Sequence, residues 1–242
     1  MQKPKPGEYV AVAAILGVMI VVLYPVLSHI GPRPGNGAEC HSHLRQVGMA
    51  LSEYVQDNDW YLPPVGDGKG RHDWRTSIVT YLHGDWKPFT CPDRKELNAP
   101  ENGFMGVEGE PESYAANIAS GSGSGGLDRG PFSLAHGSLP LPKIPYPACA
   151  IAVCEIQNTH SPGFDIDAPP DGAKQSLYAG HRGWSNYLFV DGHVQAYRPV
   201  ETASYQLYSF SSPTNFWYAD GQKPLSVNGV QTLKAAQDAN RN

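Results

Sequence analysis

A long run of apolar side chains lies close to the N-terminus of this chain. The 18 residues from Val10 to Leu27 are almost all apolar, and no formal charge falls between Tyr9 and Pro32. A helix over this run would be roughly 27 Å long, close to the thickness of the hydrocarbon core of a bilayer. The pattern predicts an uncleaved single membrane span. The alternative is a secretory signal peptide, whose apolar region is shorter and ends in small residues.

The charges around this run predict its orientation. Lys3 and Lys5 precede it, and Arg33 is the first positive charge after it. Because positive residues favour the cytoplasmic side, the N-terminus is expected in the cytoplasm and the rest of the chain outside it.

A hinge is expected after the apolar run. The stretch Gly31–Gly37 contains two prolines and three glycines, which cannot sustain a ladder of helical hydrogen bonds. We therefore expect an N-terminal membrane helix over residues 1–30, a hinge over 31–38 and an extracytoplasmic body over 39–242.

The polar and apolar positions after the hinge predict a second helix. Apolar residues recur there at helical spacing, with polar residues between them. They are Leu44, Val47, Leu51 and Tyr54 or Val55. Cys40 falls on the same stripe, four residues before Leu44. The helix should end near Asp57–Asp59, before the pair of prolines that follows.

The clearest β-signal is a hairpin over Asn186–Tyr197. Two β-rich runs flank Asp191-Gly192, a pair that readily accepts the positive φ angles of a type I′ turn. The expected cross-strand pairs are Val190 with His193 and Tyr187 with Ala196. Apolar side chains on both faces predict a hairpin that is covered on both sides.

The remaining sequence predicts short strands and long loops. Residues 150–153 form a β-like run, and 119–126 are a Gly/Ser-rich connector. The C-terminal region carries aromatic residues that can pack, and its polar end from Gln231 is expected to fray.

Composition adds three restrictions. The 242 residues include 26 glycines and 22 prolines but are 40% apolar, which indicates a loop-rich yet folded chain. The net charge of -5 argues against an electrostatic grip on nucleic acid. The four cysteines show no paired C-x-x-C spacing, so a structural zinc ribbon is disfavoured.

Several motifs occur together in a known order. His181, nine intervening residues and Asp191-Gly192 form an H-x9-DG pattern, preceded by Cys40–Leu51 and by Cys91-Pro92-Asp93. In this combination the chain resembles the H-x9-DG pilin-like proteins, relatives of type II secretion pseudopilins and type IV pilins.

This resemblance implies a fold class and several residue roles. The fold would be α+β and pilin-like, with a long N-terminal hydrophobic helix, a second helix and a small antiparallel β-sheet domain with long loops. Glu8 lies 17 residues before Pro25, the separation of the family's helix-core glutamate and kinking proline, which implies roles in assembly. Cys40 and Cys91 fall at the family's two cysteine positions, which implies a disulfide.

The implied function is that of a non-enzymatic structural subunit of a type IV pilin-like filament or type II secretion pseudopilus. It would be anchored and assembled through its N-terminal helix, either with itself or with other pilin-like subunits. It would lie in the inner membrane as a single-pass protein with an extracytoplasmic domain, or in an extracellular filament after assembly. The alternative function is a membrane-anchored binding module for carbohydrate or surface adhesion. Its candidate platform is Trp60, Tyr61, Trp74 and Trp86.

Metal and enzyme hypotheses receive less support from the sequence. His41 and His43 are two apart on a helix, so their side chains point about 200° apart and cannot share an ion. His181, Asp191 and His193 are a candidate ligand set, but hydrogen bonding by His181 and a turn role for Asp191 and Gly192 are favoured.

No cofactor is expected, although acidic loop residues make calcium a candidate. These are Asp165, Asp167 and Asp171. No G-x-S-x-G or phosphate-binding motif indicates an enzyme.

Overall fold

A five-stranded mixed β-sheet forms the centre of the structure, a computed structural model. The structure describes residues 37–66, 73–93, 113–119, 129–133, 138–157, 162–168, 177–203, 215–220 and 224–239. The N-terminal helix predicted for residues 1–30 and most of the predicted hinge lie outside these ranges. That part of the domain division therefore stays a prediction.

The strands are joined in the order β3-β1-β2-β4-β5. Their bounds are β1 Tyr114–Asn117, β2 Ile151–Glu155, β3 Gly163–Phe164, β4 Ser185–Phe189 and β5 Val194–Tyr197. Neighbouring strands are antiparallel except β1 and β3, which pair in parallel. Three α-helices accompany the sheet within the described ranges. They are α1 Ala38–Asp57, α2 Trp74–Ile78 and α3 Val227–Asp238.

Helix α1 confirms the apolar stripe read from the sequence. Leu44, Val47, Leu51 and Val55 are all buried, and so is Cys40 in the first turn. These side chains pack on one face of the sheet, where they join apolar residues of β1, β2 and β4 in a single cluster. Burial of this stripe, rather than intrinsic propensity alone, holds the helix in place.

A second apolar cluster covers the opposite face of the sheet. It combines inward residues of the strands with the C-terminal aromatics Phe216, Trp217 and Tyr218 and with Leu233 of α3. Strand β4 illustrates the two-sided burial, because Leu188 faces the first cluster and its neighbours Tyr187 and Phe189 face the second. The hairpin is thus covered on both sides of β4, as its apolar pattern predicts.

The predicted pilin-like fold class is wrong in three respects. The sheet is mixed rather than antiparallel, because β3 (Gly163–Phe164) pairs in parallel with β1, on the edge of β1 opposite to β2. A C-terminal helix, α3, replaces the frayed end expected from Gln231. Among the described residues there is also no long apolar N-terminal helix, the first helix being the amphipathic α1.

The membrane prediction is contradicted as well. No helix in the described ranges combines the length and the apolar character needed to cross a bilayer. The predicted single-pass location in the inner membrane has no support there. The run from Val10 to Leu27, on which that prediction depends, lies outside the described residues.

The hairpin exists, but its predicted register is wrong by one residue. Leu188 pairs with Val194 and Tyr187 with Gln195, so three residues rather than two lie in the loop. The backbone N–H of Gly192 donates to Phe189 O at 2.9 Å, and Gly192 has a φ of 89°. A type I turn followed by one left-handed glycine has this geometry, whereas a type I′ turn needs positive φ at two residues.

Substitution of Gly192 by valine should destabilise the protein by about 1–3 kcal/mol, measured by urea denaturation. Space is not the cause, since a Cβ there would lie 3.6 Å from Ser52 Oγ, an ordinary contact. The cause is the left-handed backbone, which a β-branched residue resists. Gly192→Asn is the matched control, because asparagine tolerates this conformation and should recover most of the loss. Equal losses in the two variants would contradict this explanation.

Candidate functional site

A disulfide joins the first turn of α1 to the segment around Cys91, which lies beside the start of β1. It links Cys40 and Cys91, whose Cα atoms are 4.8 Å apart, and this is the pair that the resemblance implies. Both residues are buried. The backbone N–H of Cys91 donates to Ser113 Oγ at 2.9 Å, which fixes the loop beside the start of β1. Cys149, just before β2, and Cys154, within β2, are not bonded to each other.

His181 lies directly beside this disulfide. Its Nε2 atom is 3.6 Å from Cys91 Sγ and 3.1 Å from Glu155 Oε1. Its Nδ1 atom is 3.3 Å from Asp93 Oδ2, so the two ring nitrogens face two different carboxylates. The Tyr178 ring packs edge-on against the imidazole, with centroids 5.4 Å apart. The histidine is only 4% exposed, so its side chain is almost completely enclosed by the protein.

Glu155, the last residue of β2, is the buried anion of the site. It is 0% exposed, and a carboxylate at such a position requires hydrogen-bond partners. The Asn186 backbone N–H donates to its Oε2 at 2.8 Å, and the Asn186 side-chain amide donates to its Oε1 at 3.2 Å. Ser185 adds a longer bond to Oε2 at 3.4 Å. The carboxylate therefore connects β2 and β4 to His181.

The site favours a protonated histidine. Burial lowers the pKa of His181, but the hydrogen bond and charge of Glu155, reinforced by Asp93, outweigh burial and raise the pKa above its ordinary value of 6.5. Glu155 is buried on the sheet, whereas Asp93 is about half exposed and more strongly screened by water. We therefore assign the main part of the stabilisation of the imidazolium to Glu155.

This raised pKa predicts a pH dependence of stability. A group whose pKa is higher in the folded than in the unfolded state stabilises fully below its unfolded pKa, and this stabilisation is lost as pH rises through the folded pKa. The difference in free energy of unfolding between wild type and His181→Gln should thus be larger at pH 6 than at pH 8.5. Urea denaturation at both pH values measures it.

The exposed hairpin histidine provides the control for this pH prediction. His193→Gln removes an imidazole that is partly solvated and contacts only Asp191 and the Phe189 ring among the contacts described. We expect its loss of stability at pH 6 to be much smaller than that of His181→Gln, because ion pairs of exposed side chains contribute little. A His181→Gln difference that is the same at both pH values would contradict a charged His181.

Asp191 acts within the turn. Its Oδ1 accepts the backbone N–H of His193 at 3.1 Å and lies 2.6 Å from His193 Nδ1. His181 has other partners, so the structure does not bring His181, Asp191 and His193 together as one ligand set. His41 and His43 of α1 likewise point to different places. His41 contacts Val194 O, and His43 contacts Thr90 O.

The candidate calcium residues have a different local role where they are described. Asp167 is 1% exposed, and its Oδ1 accepts the Tyr218 hydroxyl at 2.9 Å and the Ser226 hydroxyl. Ser226 in turn caps α3 by accepting the Gly229 N–H at 3.0 Å. Asp165 supports the Asp167 backbone, and Asp171 lies outside the described residues. Calcium binding by these residues stays a prediction.

The four candidate platform aromatics fall into two groups. Trp74 is fully buried and donates to Pro162 O at 2.8 Å, and Trp86 is half-buried against Phe89. Trp60 and Tyr61 are 55% and 51% exposed. Trp60 also borders a groove of about 210 Å³ that is lined by α1 and the hairpin loop.

Glu155 and Asp93 are the residues of the site that the sequence interpretation did not assign to it. A signal was present for Glu155, because a carboxylate that ends an apolar β-run must find a buried partner. Its partners lie 26 and 31 residues later, which no local pattern identifies. Glu8 and Pro25, the predicted assembly residues, lie outside the described residues, and their roles stay predictions.

No protein-family model, curated protein or solved structure matches the chain. The resemblance to the H-x9-DG pilin-like proteins therefore depends on the motifs themselves.

Proposed function

We propose that this chain is a non-enzymatic structural subunit that assembles into a pilin-like filament. The observation that supports this proposal best is that the residues of the H-x9-DG motif make contacts that stabilise the body of the protein. His181 ties the disulfide to Glu155 of the sheet, and Asp191 and Gly192 build the hairpin turn. The motif that carries the resemblance is thus engaged in holding the body together.

The position of the disulfide fits a subunit that is connected through the start of α1. Cys40 is in the first turn of that helix, which packs on the sheet through its apolar side chains. Its bond to Cys91 adds a covalent connection between the helix start and the segment beside β1. Tension that enters through the residues before α1 is then shared by the helix and the cross-link. Such sharing protects a filament subunit against unfolding from its N-terminal side.

A binding module is the second candidate function. Two observations favour it. Trp60 and Tyr61 are exposed, and Trp60 borders the groove. Asp59 and Trp60 also have positive φ angles, 52° and 67°. Non-glycine residues in this conformation are uncommon and are enriched at ligand sites. An exposed aromatic pair of this kind can stack on sugar rings.

Electron microscopy of the purified, oxidised full chain separates the two candidates. Regular filaments are the expected result for a structural subunit. Dispersed monomers would contradict the filament proposal. If those monomers also bound an insoluble polysaccharide, and Trp60→Ala abolished the binding, the binding module would replace it.

Glu8 provides a specific test of assembly. A carboxylate beside a long apolar run is costly to bury unless it is paired, and the family partner is the N-terminal amine of a neighbouring subunit. Glu8→Gln should therefore sharply reduce filament yield while the far-UV circular dichroism and the disulfide remain unchanged. Glu53→Gln on the exposed face of α1 is the matched control and should assemble normally. Normal filament yield from Glu8→Gln would leave Glu8 without an assembly role.

A further inference from the structure

We propose that, when the Cys40–Cys91 disulfide is reduced, Cys40, Cys91, Glu155 and His181 bind one zinc ion. Each of these four buried residues offers a ligand atom, and the four atoms lie within 4.8 Å of one another. The inference does not depend on the proposed filament function.

The donor set matches the preferences of zinc. Thiolate sulfur, imidazole nitrogen and carboxylate oxygen are its usual protein ligands, and four protein donors make a closed, structural site. Ligand atoms of a tetrahedral zinc site lie roughly 3.3–3.8 Å apart, given Zn–N and Zn–S bonds of about 2.0 and 2.3 Å. His181 Nε2 already lies 3.6 Å from Cys91 Sγ and 3.1 Å from Glu155 Oε1. Small side-chain rotations can therefore complete the arrangement.

Residues around these donors are placed to orient them. Asp93 Oδ2 lies 3.3 Å from His181 Nδ1, so Nδ1–H can donate to the carboxylate and leave Nε2 free to bind metal. Carboxylate partners of this kind fix the tautomer of metal-binding histidines. Asn186 and Ser185 donate to the oxygens of Glu155 and fix its direction. The supporting hydrogen bonds that a metal site requires are thus already in place.

The chemical steps balance with a dithiol as the reductant. A thiolate of the dithiol attacks one sulfur of the disulfide, and its second thiol completes the exchange. The S–S bond of the chain breaks, two thiols form and the dithiol becomes a disulfide. Zinc then replaces the two thiol protons, and any proton on His181 Nε2 is released as well. Cys40 is close enough to the start of α1 for local opening of that first turn to admit the reductant.

The consequence is two alternative cross-links at the same position. In oxidising surroundings the disulfide joins the start of α1 to the loop at Cys91. In reducing surroundings the metal joins the same two residues and also binds β2 through Glu155 and the segment before β4 through His181. The body would thus keep α1 attached in both conditions.

Zinc binding by the full chain tests this proposal. The chain is reduced with a water-soluble phosphine and titrated with zinc against a chromophoric chelator. One zinc ion per reduced chain and none per oxidised chain is the expected result. Cobalt in place of zinc should give a thiolate-to-metal charge-transfer band, and its visible d–d bands should have the high intensity of a tetrahedral site. A reduced chain that takes up no metal would overturn the proposal.

Variants distinguish this site from adventitious binding. Cys40→Ser and His181→Ala should each lower zinc affinity at least 100-fold, because each removes a ligand. Asp93→Asn leaves all four ligands in place and should weaken binding by about 10- to 100-fold. Cys149→Ser and His193→Ala change a free thiol and a histidine outside the site and should leave zinc affinity unchanged. Zinc affinity that Cys40→Ser does not alter would overturn the proposal.

Circular dichroism covers the case in which reduction unfolds the chain. If the reduced chain loses structure, added zinc should restore the native spectrum, since binding then drives folding. The Asp93→Asn chain should need a correspondingly higher zinc concentration for the same recovery. A reduced, unfolded chain whose spectrum zinc does not change would contradict the proposal.

Discussion

Replacing both Cys40 and Cys91 by alanine is expected to lower the free energy of unfolding by about 4 kcal/mol. The two cysteines are 51 residues apart, and the loop they close restricts the unfolded chain by an amount that grows with loop length. The loss should appear in urea denaturation as a lower midpoint. It is a large share of the total stability of an ordinary domain.

A single free cysteine provides the control for this prediction. Cys149 is partly exposed and unbonded, so Cys149→Ala should change stability by less than about 0.5 kcal/mol. If the double alanine variant were within about 1 kcal/mol of wild type, the disulfide would not be the main cross-link of the body.

Glu155→Ala should cost about 3–5 kcal/mol, the second large effect. Removing one member of a buried ion pair leaves the other charge poorly compensated, because the protonated His181 would keep only the half-exposed Asp93. The Asn186 backbone N–H, which donates to Glu155 at 2.8 Å, also loses its acceptor. Denaturation at pH 6, where the histidine is charged, measures the full effect.

Two further variants isolate the cause. Glu155→Gln keeps an oxygen acceptor for Asn186 but removes the charge opposite His181, so its loss should be smaller. Glu201 is exposed and also accepts a backbone N–H, that of Arg198 at 2.9 Å, so Glu201→Ala should cost less than about 1 kcal/mol. A Glu155→Ala loss no larger than that of Glu201→Ala would contradict the role assigned to the buried carboxylate.

Periodicity predicted the elements whose burial follows a local pattern. Leu44, Val47 and Leu51 recur at helical spacing, and the structure buries all three in α1. The hairpin followed from Asp191-Gly192 between two β-rich runs, but that pair suits a three-residue loop as well as a two-residue loop. The register was therefore not determined by the local sequence.

The elements and contacts that were missed depend on distant partners. Strand β3 has two residues, too few for any alternation to be recognised. Helix α3 has only a sparse apolar face, and its capping Ser226 depends on Asp167, 59 residues earlier. Glu155 likewise gains its role only when folding places His181 and Asn186 against it. Local patterns carry no information about such pairings.

A double-mutant cycle between Glu155 and His181 tests the central claim that these side chains act as one unit beside the disulfide. The variants are Glu155→Ala, His181→Ala and the double variant, each measured by urea denaturation at pH 6. The account predicts a coupling of about 1–3 kcal/mol, so that the double variant loses much less stability than the two single losses added together. Losses that add to within about 0.5 kcal/mol would contradict it.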